Sequence, residues 1–408
     1  MRDSLTYWIW AQRAIGAGGS DAACLLKAFP TAEDLYYADR SELVKSGVRG
    51  RTVDALCRKD LSEAKKQRER CETLGWMLTP EDELYPEPLR HIYSPPFVLY
   101  GKGRLPDCGP SAVPCIAMVG TRECTSYGIE AAAAMSAGLA AAGCPIISGG
   151  ARGIDRASHE GALYAGGHTV VIQACGLDVN YPMKNDDLRR DVLNNGGAII
   201  TEFAPGVRAE RGNFHIRNRL MSGMARGVCV VEAPAISGAL ITARAARDQG
   251  RDVFVVPGRI TDEASVGSLQ LIREGAALVT RPSDILCEYP QYFNSKLTED
   301  ADRGQAAYYE WLKRGMRTVQ RVADAPPEIV VASVPSVESS GEPKACPEFV
   351  SDTARTVYAC ITTEERTVDE ICEREGVTPG EAFAALTELE LFGCVESRPG
   401  KRYIVSRD

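Results

Sequence analysis

The stretch Ser148-Gly149-Gly150-Ala151-Arg152-Gly153-Ile154-Asp155 follows the short apolar run Pro145-Ile146-Ile147 and precedes the helix-like Asp155-Arg156-Ala157-Ser158-His159-Glu160. Strand, glycine turn and helix in that order make a phosphate cradle. Glycines let a backbone approach the ligand, and the first turn of a helix offers unpaired N–H groups and partial positive charge. Arg152 sets a cation inside the turn, and more arginines recur nearby in Gly120-Thr121-Arg122 and Phe214-His215-Ile216-Arg217-Asn218-Arg219. From Arg208 to Arg226 the chain holds Arg208, Arg211, Arg217, Arg219 and Arg226 against one acid, Glu210. That local excess suits a polyanion better than a single phosphate, whatever the net charge of the whole chain.

The usual cofactors lack their signatures. The turn Gly120-Thr121-Arg122 has no second glycine of a dinucleotide fingerprint, and the strand ending Gln173-Ala174-Cys175 offers no acid for a ribose. No glycine loop ends in Gly-Lys-Ser/Thr, which removes the P-loop. For catalysis the candidates are Asp155, His159, Glu160, Glu202 and Glu232. Asp155 and His159 stand four residues apart on one helical face, as a hydrolase could use them, yet Asp155 reads equally as an N-cap. No Ser or Cys nucleophile has an evident partner. Loops rich in arginine and poor in carboxylate favour holding a polyanion over cutting one, so the expected protein is not an enzyme and needs no cofactor.

Composition agrees. The 408 residues carry a net charge of −8, with 44% hydrophobic and 25% charged residues, values ordinary for a globular protein of several domains. No apolar run approaches the roughly 20 residues of a membrane span, and the N-terminus lacks a signal-peptide core. A cytoplasmic, membrane-free location is expected. The 14 cysteines are scattered, with no C-x-x-C pair, and the four histidines stand apart, so neither disulfides nor a metal site is indicated. Cys124, beside a glycine turn, is the one thiol of interest.

These loops need a scaffold to converge. Residues 1–80 read as short helices around glycine turns, with capping starts at Thr31 and Asp39, in the manner of helix-hairpin-helix or sterile-alpha-motif modules. Residues 81–290 alternate apolar strands (115–119, 145–148, 168–174, 198–202, 228–232, 252–256, 277–279) with helices (128–143, 155–165, 186–195, 217–225, 238–249, 268–274). Runs such as Val228-Cys229-Val230-Val231 are apolar throughout, as parallel strands covered on both faces require. This predicts an α/β fold with a doubly wound, Rossmann-like, mostly parallel sheet, whose ligands bind beyond the carboxyl ends of the strands. Six polar or glycine-rich loops fall on that edge, including Ser126-Tyr127-Gly128, Tyr181-Pro182-Met183-Lys184-Asn185 and Ser237-Gly238. Residues 291–348, rich in Pro, Ser and Glu toward their end, read as a linker. Residues 349–408 give three helices and a hairpin around Pro399-Gly400, a winged-helix domain whose third helix is acidic through Glu381, Glu388 and Glu390.

The order of these loops resembles the DNA-processing protein A (DprA/Smf) family. The resemblance is carried by Gly120-Thr121-Arg122, Ser126-Tyr127-Gly128, Ser148 to Asp155, Ser158-His159, Tyr181-Pro182-x-x-Asn185, Phe214-x-x-Arg217-Asn218-Arg219, Ser237-Gly238, Thr242-Ala243-Arg244 and Val256-Pro257-Gly258, from about Tyr85 to Leu286. It implies a non-catalytic, homodimeric protein that binds and protects single-stranded DNA during natural transformation and helps load the RecA recombinase. By motif, Gly120, Thr121, Arg122, Ser126, Tyr127, Gly149, Gly150, Arg152, Gly153, Lys184, Asn185, Phe214, Arg217, Asn218, Arg219, Ser237 and Gly238 would line the DNA pocket, with Asp155 and His159 structural. Tyr127 and Phe214 are rings that could stack on bases, although each reads more readily as core. Two departures stand out: Phe214-His215 replaces the usual Phe-Pro, and Gly267-Ser268-Leu269 replaces the usual Gly-x-Asn. The rival reading is a phosphoribohydrolase-like nucleotide enzyme, disfavoured because the Gly-Thr-x-x-Glu turn with its catalytic glutamate is missing.

Overall fold

A computed structural model describes residues 4–314, 350–361, 366–391, 394–398 and 402–405. The chain divides into two compact units. One holds the described residues up to Leu286 and from Tyr292 to residue 314; the other holds 287–291 and the described residues from 350 on.

The first unit is built on nine strands: β1 (Trp76–Leu78), β2 (Leu99–Gly103), β3 (Ile116–Val119), β4 (Ile146–Ser148), β5 (Thr169–Ile172), β6 (Ala198–Thr201), β7 (Gly227–Val230), β8 (Asp252–Val255) and β9 (Ala277–Leu278). They pair in the order β1-β2-β6-β5-β4-β3-β7-β8-β9. The strands from β6 to β9 in that order are all parallel, while β2 runs antiparallel to β6 and β1 to β2. In the middle of the sheet Ala117 stands level with Ile147 on one side and Val228 on the other, and Ile147 with Val170. All four are buried in one apolar layer. Each valine or isoleucine among them contributes about 1.5–3 kcal/mol on leaving water, which is why the run needs no polar alternation. The chain winds outward from β3 to β6, then returns to lay β7 on the other side of β3. That reversal is the topological switch point, where a crevice opens at the carboxyl edge.

The helical residues before the sheet do not stand apart from it. The helices are Ser4–Ile15, Ala22–Ala28, Ala32–Tyr37, Arg40–Lys45, Gly50–Leu56 and Ser62–Glu72, and the third and fourth begin at the capping residues the sequence offered. Thr31 accepts from the N–H of Asp34, and Asp39 and Glu42 form a full capping box. Their core of Trp8, Ile9, Leu25, Leu35, Leu43 and Leu56 is continuous with Phe97, Val98 and Tyr100 at the start of β2. The boundary expected at residue 80 therefore falls inside one packed body, just beyond sheet strand β1.

A second difference concerns the expected linker at 291–348. Ser295–Lys313 is a 19-residue helix packed against the helix Ser126–Ala141. Gly304 lies so close that a Cβ on it would sit 2.9 Å from the Ala141 Cβ. Tyr308 and Trp311 close the contact on Tyr164, with ring centroids 5.0 and 5.2 Å away. The Pro- and Ser-rich segment after residue 314 lies outside the described residues.

The second unit has the expected winged-helix elements: helices Asp352–Ile361, Val368–Glu375 and Pro379–Leu391, with strands β10 (Arg366–Thr367), β11 (Val395–Arg398) and β12 (Arg402–Val405). The strands pair antiparallel in the order β10-β12-β11. Val357, Ile361, Ile371, Leu386, Leu389, Val395 and Tyr403 make its core. The Pro399-Gly400 turn lies outside the described residues.

Candidate nucleic-acid interface

Four segments meet at the carboxyl edge beside the switch point: the Gly120–Thr125 loop after β3, the Gly149–Gly153 turn after β4, the loop after β5 reaching Asn185, and the helix Arg211–Met224 between β6 and β7. The last begins six residues before the start expected at 217, so Phe214 to Arg219 are helical rather than looped. Helical spacing then matters. Residues 217 and 219 are about 200° apart around the axis and point to opposite sides.

Arg219 turns inward. It is 2% exposed, and its guanidinium donates to the Glu202 carboxylate at 2.7 Å. Glu202 also accepts from Gln12 Nε2 and from the Gly18 N–H, each at 3.0 Å. This expected DNA ligand is instead a strut tying the first helix of the chain to the sheet. Its ion pair with Glu202, not its residue type, removes it from the interface.

Arg217 turns toward the glycine turn. Only 3% of its surface is exposed; among the described residues it forms no ion pair, its Nη1 donates to the Met221 sulfur at 2.7 Å, and its Nε has no hydrogen-bond partner. The guanidinium lies across Gly149: a Cβ there would be 1.5 Å from its Nη1, so a side chain at 149 would push it aside. Burial pulls its pKa down to about 10, with the nearby Asp155 opposing and Arg122 adding to the fall. It remains a cation at neutral pH.

The Gly120–Thr125 loop is braced from below. Glu232, fully buried at the end of β7, accepts from the Thr125 N–H at 2.9 Å and its hydroxyl at 2.6 Å. Thr125, which the sequence reading passed over, is the N-cap of Ser126–Ala141 and accepts from the Gly128 N–H. Gly153, at φ +81°, packs so tightly that a Cβ on it would lie 2.6 Å from the Thr121 carbonyl oxygen, locking the two loops together. Arg122 is exposed, and its guanidinium stacks 4.4 Å from the ring centroid of Phe214. Lys184, Arg208 and Arg211 are also exposed and, like Arg122, form no ion pair among the described residues. Arg226 precedes β7 at the opposite end of the sheet and takes no part.

The glycine turn differs from the phosphate cradle expected of it. Arg152 points outward and pairs with Glu123 at 2.9 Å. The cap of Ile154–Tyr164 is Gly153, and Asp155, one position into the helix, reaches back to accept from the Ala151 N–H at 3.3 Å. Burial pushes the Asp155 carboxyl up, against the pull of Arg217. The turn is thus occupied by the protein's own carboxylate and serves as a seat for Arg217. Asn185 steadies it, donating from Nδ2 to the Gly150 carbonyl at 2.9 Å.

The remaining expected residues are scaffold. His159 does not meet Asp155; it is buried, with Nδ1 2.7 Å from the Thr169 hydroxyl, and burial holds its pKa down to about 3. Asn218 donates to the Gly238 carbonyl at 3.2 Å, and Ser237 caps the helix Gly238–Asp248 by accepting from the Ala239 N–H. Tyr127 is committed through its hydroxyl to the Pro257 carbonyl at 2.7 Å. Ser126 opens its helix exposed, with Thr125 doing the capping. Glu160 pairs with Arg156 at 2.7 Å. Burial and then Glu232 push the Cys124 thiol up, which makes it less reactive rather than more. Among the described residues no cluster of His, Cys, Asp and Glu could hold a metal ion.

An arginine crevice of this build on a doubly wound sheet has relatives. Residues 76–290 match the family of DNA recombination-mediator protein A, and residues 341–401 match the DprA winged-helix domain. The chain belongs to the DNA recombination-mediator protein A family. It is 33% identical over 327 residues to protein Smf of Synechocystis sp., covering 80% of this chain and 79% of that one. It is 41% identical over 208 residues to DNA processing protein DprA of Streptococcus pneumoniae, covering 51% of this chain and 72% of the relative. The X-ray structure of the latter organism's DprA superposes with a TM-score of 0.58 at 33% identity, covering 69% of this chain and 96% of that one. The family match ends at residue 290, so the helix Ser295–Lys313 falls between it and the winged-helix match.

Proposed function

We propose that the chain binds single-stranded DNA along the carboxyl edge of its sheet and holds it, uncut, for loading of the RecA recombinase during natural transformation. Arg217 and Arg122 take backbone phosphates, and Lys184, Arg208 and Arg211 extend the track to either side. One observation carries this reading. Arg217 is a buried cation with no carboxylate within ion-pair distance among the described residues, seated on the glycine turn at the sheet edge that also carries the exposed, unpaired Arg122. A buried charge without a counterion costs several kcal/mol, and an anion bound from solution offsets that cost. Arginines that meet phosphates without reaching base edges grip DNA regardless of sequence.

The protein would act as a cytoplasmic homodimer. No helix among the described residues is long and apolar enough to cross a membrane. A non-catalytic role fits the site, because each candidate catalyst has structural work: Glu202 holds Arg219, Glu232 holds Thr125, Asp155 holds the glycine turn, His159 holds Thr169 and Glu160 pairs with Arg156.

The test is a gel shift with single-stranded and duplex oligonucleotides, with and without RecA. Tight, salt-sensitive binding of the single strand, and faster RecA filament formation on it, is the expected result. Preference for duplex overturns the proposal. Release of free base from nucleoside monophosphates would favour the phosphoribohydrolase-like reading instead.

A further inference from the structure

The aromatic side of the crevice is arranged differently from the motif's expectation. Phe214 is half-buried, and the Arg122 guanidinium already covers its ring at 4.4 Å. Its other neighbour is Tyr181, whose ring centroid lies 5.8 Å away at an interplanar angle of 55°. Guanidinium, phenyl and phenol thus form one continuous surface, and its outermost ring is Tyr181, 40% exposed. The Tyr181 hydroxyl has no hydrogen-bond partner among the described residues, so nothing in the fold needs a phenol there.

The backbone under that ring is fixed. Arg189, buried on the helix Asp186–Asn194, donates to the Tyr181 carbonyl at 3.1 Å and the Pro182 carbonyl at 3.2 Å, and also bonds the Asn180 side chain. Asn185 ties the far end of the same loop to the glycine turn. An exposed aromatic on an anchored loop has lost its backbone entropy before any ligand arrives, as a stacking platform requires. The exposed Arg122, which forms no ion pair among the described residues, lies on the other side of Phe214 from the Tyr181 ring, and exposed Met183 and Lys184 follow on the same loop. Apolar ring beside free cation matches the alternation of base and phosphate along a single strand.

We propose that Tyr181 is the base-stacking platform of this crevice, and that Phe214 acts behind it by orienting Arg122 and backing the tyrosine ring. This rests on the reading of the crevice as a single-strand site, and it adds that the site holds nucleobases by their faces and not only phosphates. Any base suits such a platform, because every base has a π-face.

The experiment measures binding of the full chain, by fluorescence anisotropy, to a labelled oligothymidylate and to an abasic deoxyribose-phosphate strand of equal length. Wild type should bind the base-bearing strand about tenfold more tightly, in line with one stacked base. Tyr181→Ala should lose that preference while its affinity for the abasic strand is unchanged, and Tyr181→Phe should keep it. Equal weakening of both strands by Tyr181→Ala, or no change on either, overturns the platform. Wild type binding neither strand would instead overturn the single-strand reading itself. Thermal melts of both variants at the wild-type temperature exclude a folding defect, and Tyr181→Leu, which keeps apolar bulk without a π-face, should behave as the alanine variant does.

Discussion

Arg217 and Arg219 stand two residues apart on one helix, both almost wholly buried, and do opposite things. Arg219 has a carboxylate at 2.7 Å and a network behind it. Arg217 has the Gly149 backbone beneath it, the Met221 sulfur 2.7 Å from its Nη1, and an Asp155 outside ion-pair distance. What separates a structural charge from a functional one here is the bookkeeping of partners. Burial alone does not decide it, nor does residue type. A charge whose counterion is built into the fold stabilises the fold; one left without it stabilises whatever anion arrives.

This contrast can be broken in order of effect. Arg219→Ala strands the Glu202 charge in the interior and should cost about 3–5 kcal/mol of stability, read as a large fall in melting temperature. Arg217→Met should do the reverse. Single-strand affinity drops by about 1.5–3 kcal/mol, the worth of a hydrogen bond to a charged group, while the melting temperature holds or rises. If both variants lose stability alike, the distinction between them fails.

Acid should sharpen it. The His159 pKa is held down to about 3, chiefly by burial and secondarily by Arg217. In the unfolded chain a histidine titrates near 6.5, so below that pH the unfolded state binds the extra proton and the native state does not. Stability from this group is therefore complete above pH 7 and declines as pH falls from about 6.5 toward 3, by at most about 1.4 kcal/mol per pH unit. Removing the Arg217 charge should shift the lower limit of this decline upward, and urea titrations across the pH range would show it. Arg122→Ala, by contrast, should lower the salt slope of single-strand binding by about one phosphate's worth without touching stability. The smallest effect belongs to Arg152→Ala. Arg152 is exposed and paired with Glu123, and its loss should change neither stability nor affinity by more than about 0.5 kcal/mol.

Much of the fold was legible. Apolar runs located the strands from β3 to β9, and the capping signals at Thr31 and Asp39 opened helices where read. Short or camouflaged elements were not. Trp76–Leu78 is too short to show a period, and the helix Ser295–Lys313 hides its buried stripe (Ala301, Tyr308) among charges and a glycine. At the candidate site, the loop pattern placed arginines at the carboxyl edge of the sheet but could not say which way each faced. That required knowing that residues 214–219 are helical, and Gly212-Asn213 at the helix start masked it. Tyr181 escaped notice because its role depends on a ring from a segment thirty-three positions away, a proximity no spacing encodes.

The seat under Arg217 has a genetic consequence. With a Cβ on Gly149 falling 1.5 Å from the Nη1 of Arg217, an alanine at 149 must push the guanidinium off its seat. Only the tip of a flexible side chain has to move, so Gly149→Ala should leave the protein folded and reproduce the binding defect expected of Arg217→Met. Combining the two substitutions should then add nothing, so that two positions far apart in the chain behave as one genetic unit.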